Sequence, residues 1–182
     1  MMESCRFALV AYVKDSAGQF VEDLSRQLHP GLPNMSAHLT ILPPRVLQGS
    51  ESKALEIIEE VCAPVEPFAV TLADVETFIP VTPTLFIRVG YGAYRMRELH
   101  DKLQRDSLAG LEQWPYMPHL TIAKMSTQEE AQQAFGVARA RWAQYEGSRT
   151  VSLTKLTFVR EDQPNDWADL AGIPLGKSLV KS

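Results

Sequence analysis

His38-Leu-Thr-Ile-Leu42 and His119-Leu-Thr-Ile122 are the same tetrapeptide 81 positions apart, and the fold turns on this pair. Strand side chains alternate faces, so His and Thr share one face while Leu39/Ile41 and Leu120/Ile122 turn to the core. Working outward, the elements around the first motif recur around the second. Phe7 to Val13 reads as a buried strand, and Phe20, Val21, Leu24 and Leu28 form the stripe of an amphipathic helix. His29 to Asn34 reads as a loop from its Pro and Gly content. The first motif should stop at Pro43-Pro44. A helix follows with Ala54, Ile57, Ile58 and Val61 on one face, then a strand from Phe68 to Phe78. The unit is β-α-β-α-β.

From Thr84 the order repeats. Leu85 to Val89 is a strand, Met96, Leu99 and Leu103 mark a helix, and the Trp114–Pro118 loop leads into the second motif. Ser126-Thr-Gln-Glu129 is a capping box opening another helix. Thr150 to Val159 closes the unit, with one more strand expected over Leu170 to Leu175. After the motif an offset of 81 carries Ala54, Ile57 and Val61 onto Phe135, Ala138 and Trp142, and Val70 and Leu72 onto Val151 and Leu153. Before it, an offset of 79 takes Phe7 and Val10 to Phe86 and Val89, and Phe20 and Leu24 to Leu99 and Leu103, which implies a two-residue insertion in the second loop. The apolar alternation also slips phase after Leu72 and after Leu153, as a β-bulge would cause. The pattern predicts one domain of duplicated β-α-β-α-β units, about 1–82 and 83–182.

Composition narrows the function. The 182 residues carry 18 Lys+Arg against 22 Asp+Glu, a net charge of −4. Gripping long nucleic acid takes many cationic contacts to phosphates, so that class is not expected. No basic stripe with interleaved aromatics points to a general RNA binder either. Cys5 and Cys62 form no metal or disulfide framework, which suits a reducing compartment. The apolar run Phe7–Val13 is too short to span a bilayer and lacks signal-peptide features, so a cytoplasmic protein without a membrane partner is expected.

A pseudo-two-fold axis would bring both motifs to one cleft, giving two imidazoles and two hydroxyls. Two histidines suit a reaction that removes one proton and delivers another near neutral pH, and two Thr hydroxyls suit the oxygens of a phosphate. The plain alternative is His on a half-exposed strand with Thr present for its β propensity. A zinc site would need a third protein ligand, and no His, Cys or carboxylate repeats beside the motifs, so neither metal nor other cofactor is expected.

The paired His-x-Thr-hydrophobic motifs, the doubled element order and the Pro118-His119-Leu-Thr-Ile lead-in resemble the 2H phosphoesterase superfamily, which includes the RNA 2′,3′-cyclic phosphodiesterases also called 2′-5′ RNA ligases. Leu156-Thr-Phe-Val-Arg160 with Trp167 is similar to that family's C-terminal strand region. The resemblance implies a bilobal α+β fold with antiparallel-rich sheets flanking a central cleft, and metal-independent opening of a cyclic phosphodiester by water. It implies His38 as proton donor to the leaving oxygen, His119 as acceptor from water, and Thr40 and Thr121 as phosphate-oxygen ligands. It also implies a basic residue five positions after the second His, here Lys124, although simple alternation puts Lys124 on the wrong face unless the strand bends. The substrate would be a nucleoside or RNA-terminal 2′,3′-cyclic phosphate. The alternatives are a phosphate- or nucleotide-binding module with little turnover, and 2′-5′ RNA end-joining.

The chain departs from RNA-acting relatives at Pro43-Pro44-Arg45, which shortens the strand where they continue with an aromatic residue. Arg45 reads as an exposed loop residue, with reach to the phosphate as the other reading. Phe86 and Arg88 share one face, either the cleft floor or, for Phe86, more naturally under a helix. Trp114 and Tyr116 border the second motif, where they either contact a base or pack down. His100 reads as a half-buried helix residue and His29 as a helix-end residue.

Overall fold

The computed structural model describes residues 5–31 and 36–176. Its strands are β1 (Arg6–Tyr12), β2 (His38–Val46), β3 (Phe68–Thr77), β4 (Thr84–Val89), β5 (His119–Lys124), β6 (Thr150–Leu153), β7 (Lys155–Gln163) and β8 (Asp166–Pro174). The helices are α1 (Ser16–Leu28), α2 (Glu51–Cys62), α3 (Ala93–Leu103) and α4 (Gln128–Gln144). All eight strands run antiparallel in the order β6-β3-β4-β5-β2-β1-β7-β8, the α+β architecture expected from the sequence. The helices pack on the face carrying Leu39, Ile41, Leu120 and Ile122, and their stripes join these residues in one continuous core. The expected stripes are buried in place: Val21 and Leu24, Ala54 to Val61, Met96 to Leu103, and Ala138 and Trp142.

The two sequence units are interleaved in space. β3, from the first unit, pairs with β4 of the second, and β7, from the second, pairs with β1 of the first. Each half of the sheet therefore closes with the other unit's last strand, so a cut near residue 82 divides the sequence but not the sheet. The halves meet where β2 and β5 share a single residue pair, Leu39 opposite Leu120, and they diverge from that seam.

Pairing also corrects the register before the motif. Val10 lies opposite Thr40 and Phe86 opposite Thr121, an offset of 76 between β1 and β4 rather than 79. Both strands are almost continuously apolar and helix stripes recur every turn, so a wrong register still matched apolar to apolar. The error is odd in a strand, which sends side chains to the other face. Both phase slips are real features. β3 shifts register between Leu72 and Val75, and its counterpart breaks outright at Thr154, where the chain leaves β3 as β6 and joins β1 as β7.

β2 does not stop at Pro43 but runs on to Val46. Beyond Leu39 its β5-facing edge carries no further ladder pair, and register shifts flank the prolines on the β1 side, so no ladder donor is demanded of them. The α4 capping box sits one residue later than expected: Thr127 accepts from the Glu130 N–H, and the Glu130 carboxylate accepts from the Ser126 N–H. His29 caps the C-terminus of α1, while residues 32–34 of the expected loop lie outside the described residues. No helix is long and apolar enough to cross a membrane among the described residues.

Candidate active site

Antiparallel register about Leu39 and Leu120 sets His38 across from Thr121 and Thr40 across from His119, on the face opposite the leucines. The two imidazoles are held alike. His38 Nδ1 lies 2.9 Å from the Ser36 carbonyl and His119 Nδ1 lies 2.7 Å from the Met117 carbonyl, each two residues upstream. A carbonyl only accepts, so Nδ1 carries the hydrogen, and the neutral ring presents its lone pair at Nε2. Among the described residues neither Nε2 and neither Thr hydroxyl has a hydrogen-bond partner.

Burial holds His119 below the ordinary imidazole range, partly offset by its bond to Met117 and reinforced by the charges of His38, Lys124 and Arg88. That coupling places His38, Lys124 and Arg88 in one electrostatic neighbourhood with His119. Lys124 reaches it through a register shift. Phe86 pairs with Thr121 but Leu85 pairs with Ala123, so Ile122 is the extra residue and Lys124, opposite Thr84, joins the face of Thr121. Ile122 and Ala123 are accordingly both buried. β2 shifts at the matching place, where Val10 pairs with Thr40 and Leu9 with Leu42. The residue equivalent to Lys124 there is Pro43, so the site is symmetric in its histidines and asymmetric in its charge.

Phe86 is not under a helix. It pairs with Thr121, stacks on Phe78 with ring centroids 4.1 Å apart, and meets the His119 ring edge-on at 5.2 Å. Phe78 meets the same imidazole at 5.2 Å. Both rings pack against the His119 imidazole. Arg88 lies opposite His119, its guanidinium in a two-pronged bond to Glu76 at 2.5 and 2.8 Å. On the other half, Tyr12 lies opposite His38 with ring centroids 6.4 Å apart, and its hydroxyl donates to Asp169 at 2.6 Å. Sequence reasoning did not single out Tyr12 or Phe78. Tyr12 shares the parity of Val10, but only the 76 register and the β2 pairing reveal which face that parity is.

Arg45 neither lies exposed in a loop nor reaches toward the histidines. It is 7% exposed on the helix side, because a second β2 register shift sets it opposite core residue Phe7. Its guanidinium donates to the carbonyls of Pro43 and Leu108, to Gln104, and to Glu112 at 2.5 Å. The Glu112 carboxylate also lies 2.7 Å from His100 Nε2 and accepts from Gln104. His100, buried rather than half-buried, stacks on Tyr116 at 4.1 Å, and the Tyr116 hydroxyl donates to the Thr40 carbonyl at 2.7 Å. Tyr116 therefore packs down, as one of its two readings held, and ties the second unit's loop to the first motif. Trp114 stays exposed. Among the described residues no group of three or more His, Cys, Asp or Glu side chains is placed to hold a metal.

The family model described as the 2′-5′ RNA ligase superfamily matches residues 13–165. A Halalkalibacterium halodurans protein named "Putative phosphoesterase BH1439" is 27% identical over 117 residues, 60% of this chain and 68% of that protein. An Oceanobacillus iheyensis protein of the same naming is 28% identical over 116 residues, 62% of this chain and 66% of its own. Among solved structures, TT0787 of Thermus thermophilus superposes with a TM-score of 0.65 at 14% identity, covering 94% of this chain and 98% of that one. LigT of E. coli, crystallised with NADP+, gives 0.60 at 13% identity over 96% and 99% of the two chains. At such identities the structural matches speak for the fold.

Proposed function

The chain belongs to the 2′-5′ RNA ligase superfamily, and from that membership we propose that it is a metal-independent phosphoesterase hydrolysing a nucleoside or RNA-terminal 2′,3′-cyclic phosphate. One observation carries the reading. Two imidazoles that the β2–β5 register sets on one face of the sheet are each held at Nδ1 by the carbonyl two residues upstream, which leaves each Nε2 without a partner among the described residues. A phosphorus atom between them has a proton acceptor on one side and a donor on the other, as in-line displacement requires.

In this scheme His119 Nε2 takes a proton from water as the oxygen attacks phosphorus. Its buried, proton-shedding environment suits the acceptor role. His38, starting protonated, delivers its proton to the departing ribose oxygen as the P–O bond breaks. The product is a phosphomonoester, and the two imidazoles exchange protonation states for the next cycle. Charge growing on the phosphoryl oxygens is met by the Thr40 and Thr121 hydroxyls and by the Lys124 ammonium. LigT has been crystallised with 3′-AMP and with phosphate, ligands of the chemistry this cleft would hold after turnover. Cys5 and Cys62 are free thiols, which suits work in a reducing cytoplasm.

The test is a panel of 2′,3′-cyclic nucleotides and cyclic-phosphate-ended oligonucleotides, assayed with chelator present. Hydrolysis unaffected by chelator, with a bell-shaped pH dependence from the coupled histidines, is the expected result. Nucleotide binding without turnover would leave a binding module, and joining of RNA ends in excess of hydrolysis would make it a ligase.

A further inference from the structure

A recess of about 420 Å³, which neither histidine lines, opens beside Tyr12. Tyr12, Lys14, Ser152, Lys155, Thr157 and Asp169 are among its walls. Tyr12 is shared with the candidate active site: its ring lies 6.4 Å from that of His38, centroid to centroid, and Lys14 Nζ lies 5.4 Å from the same ring's centroid. The ammonium and the imidazole thus both neighbour one aromatic ring. The Lys155 side chain runs over Gly172, also of the lining, where an added Cβ would come within 3.2 Å of Lys155 Cδ and 3.7 Å of Nζ. Among the described residues neither lysine is in an ion pair, whereas Asp169, an acid of the recess, already accepts the Tyr12 hydroxyl.

Two ammoniums outside any ion pair, with the hydroxyls of Ser152, Thr154 and Thr157 on the same lining, form a site for an oxyanion, and the volume exceeds what a lone phosphate fills. We propose that this recess takes a second phosphate of the substrate, one nucleoside away from the phosphodiester held between the histidines. The proposal rests on the phosphodiesterase reading for the position of the first phosphate. The second phosphate has two sources, a terminal 5′-phosphate on the cyclic nucleotide or the internucleotide diester preceding an RNA end.

The experiment compares adenosine 2′,3′-cyclic phosphate with its 5′-phosphorylated form and with a dinucleotide ending in the same cyclic phosphate. At low salt one or both of the phosphate-extended substrates should show kcat/KM about fivefold to tenfold higher, through KM, the gain two part-exposed ion pairs supply, and salt should erode it. Lys14→Ala with Lys155→Ala should bring the ratio to unity, while Lys53→Ala, on α2 beside Glu56, keeps it. Which extended substrate gains identifies the source. A ratio of unity in the wild type, or one that survives the double substitution, overturns the proposal. If no cyclic substrate is turned over, the phosphodiesterase reading fails separately. Equilibrium binding of adenosine 3′,5′-bisphosphate against adenosine 3′-monophosphate then decides the recess, with equal affinities overturning it.

Discussion

Glu112→Gln should destabilise the protein although Glu112 touches neither motif. The substitution keeps size and one acceptor but removes the carboxylate bonded to Arg45, whose side chain is 6% exposed against 17% for that of Glu112. Breaking a buried pair by removing one partner typically costs about 3–5 kcal/mol, because a charge is left uncompensated. Arg45 keeps the Pro43 and Leu108 carbonyls and Gln104 as acceptors, so about 2–3 kcal/mol is expected here. For a chain of this length that is about 5–10 °C in Tm. Urea unfolding should show a lower midpoint at unchanged slope. The effect should also depend on pH. Burial alone would raise the Glu112 pKa, but bonds from His100 and Arg45 outweigh it and hold the carboxyl below its usual range. A folded-state pKa below the unfolded one gives stability that is complete above the ordinary carboxylate value and is lost as pH falls through the depressed one. The gap between wild type and Glu112→Gln should therefore be full at neutral pH and close in acid. A loss under about 0.5 kcal/mol at neutral pH, the level of ordinary surface substitutions, would refute the claim that this network holds the 104–118 loop on β2.

His38→Ala and His119→Ala should each cost about 100-fold or more in hydrolysis, and an activated aryl leaving group should rescue the donor variant His38→Ala but not His119→Ala. Rescue of His119→Ala instead would reverse the two roles. Thr40→Val and Thr121→Val should leave the unliganded Tm nearly unchanged but shrink the thermal shift produced by inorganic phosphate, and undiminished shifts would put the anion elsewhere. Phe78→Ala should wet His119 and raise its pKa toward the ordinary imidazole value, moving the acid limb of the pH–rate profile to higher pH. An imidazole NMR titration unmoved by the substitution would show that these rings are not what lowers it.

Much of this protein is legible locally. The strands and helices, the phase slips after Leu72 and Leu153, and the shared face of His38 with Thr40 and His119 with Thr121 all follow from periodicity, because side-chain direction within an element is fixed by backbone geometry. Lys124 marks the limit of that logic: alternation puts it on the wrong face, and only the shift at Ile122, visible as a pairing with β4, brings it round. Phe86 went astray for a related reason. The 79 register had odd error, and a run of apolar residues carries no mark of which face looks onto a helix and which onto a cleft.

The sequence by itself determined the elements, the repeated motif and the face that His and Thr share within each copy, because each element's pattern is written in residues near one another along the chain. Tertiary structure alone decided that β3 and β7 exchange partners, that β2 passes through two prolines, and that Arg45 is buried against Glu112, 67 positions away. The reason is physical. Which edge a strand finds, and whether a cation finds a carboxylate before it finds water, are settled by contacts between distant segments, whose free energies leave no periodic trace in either segment alone.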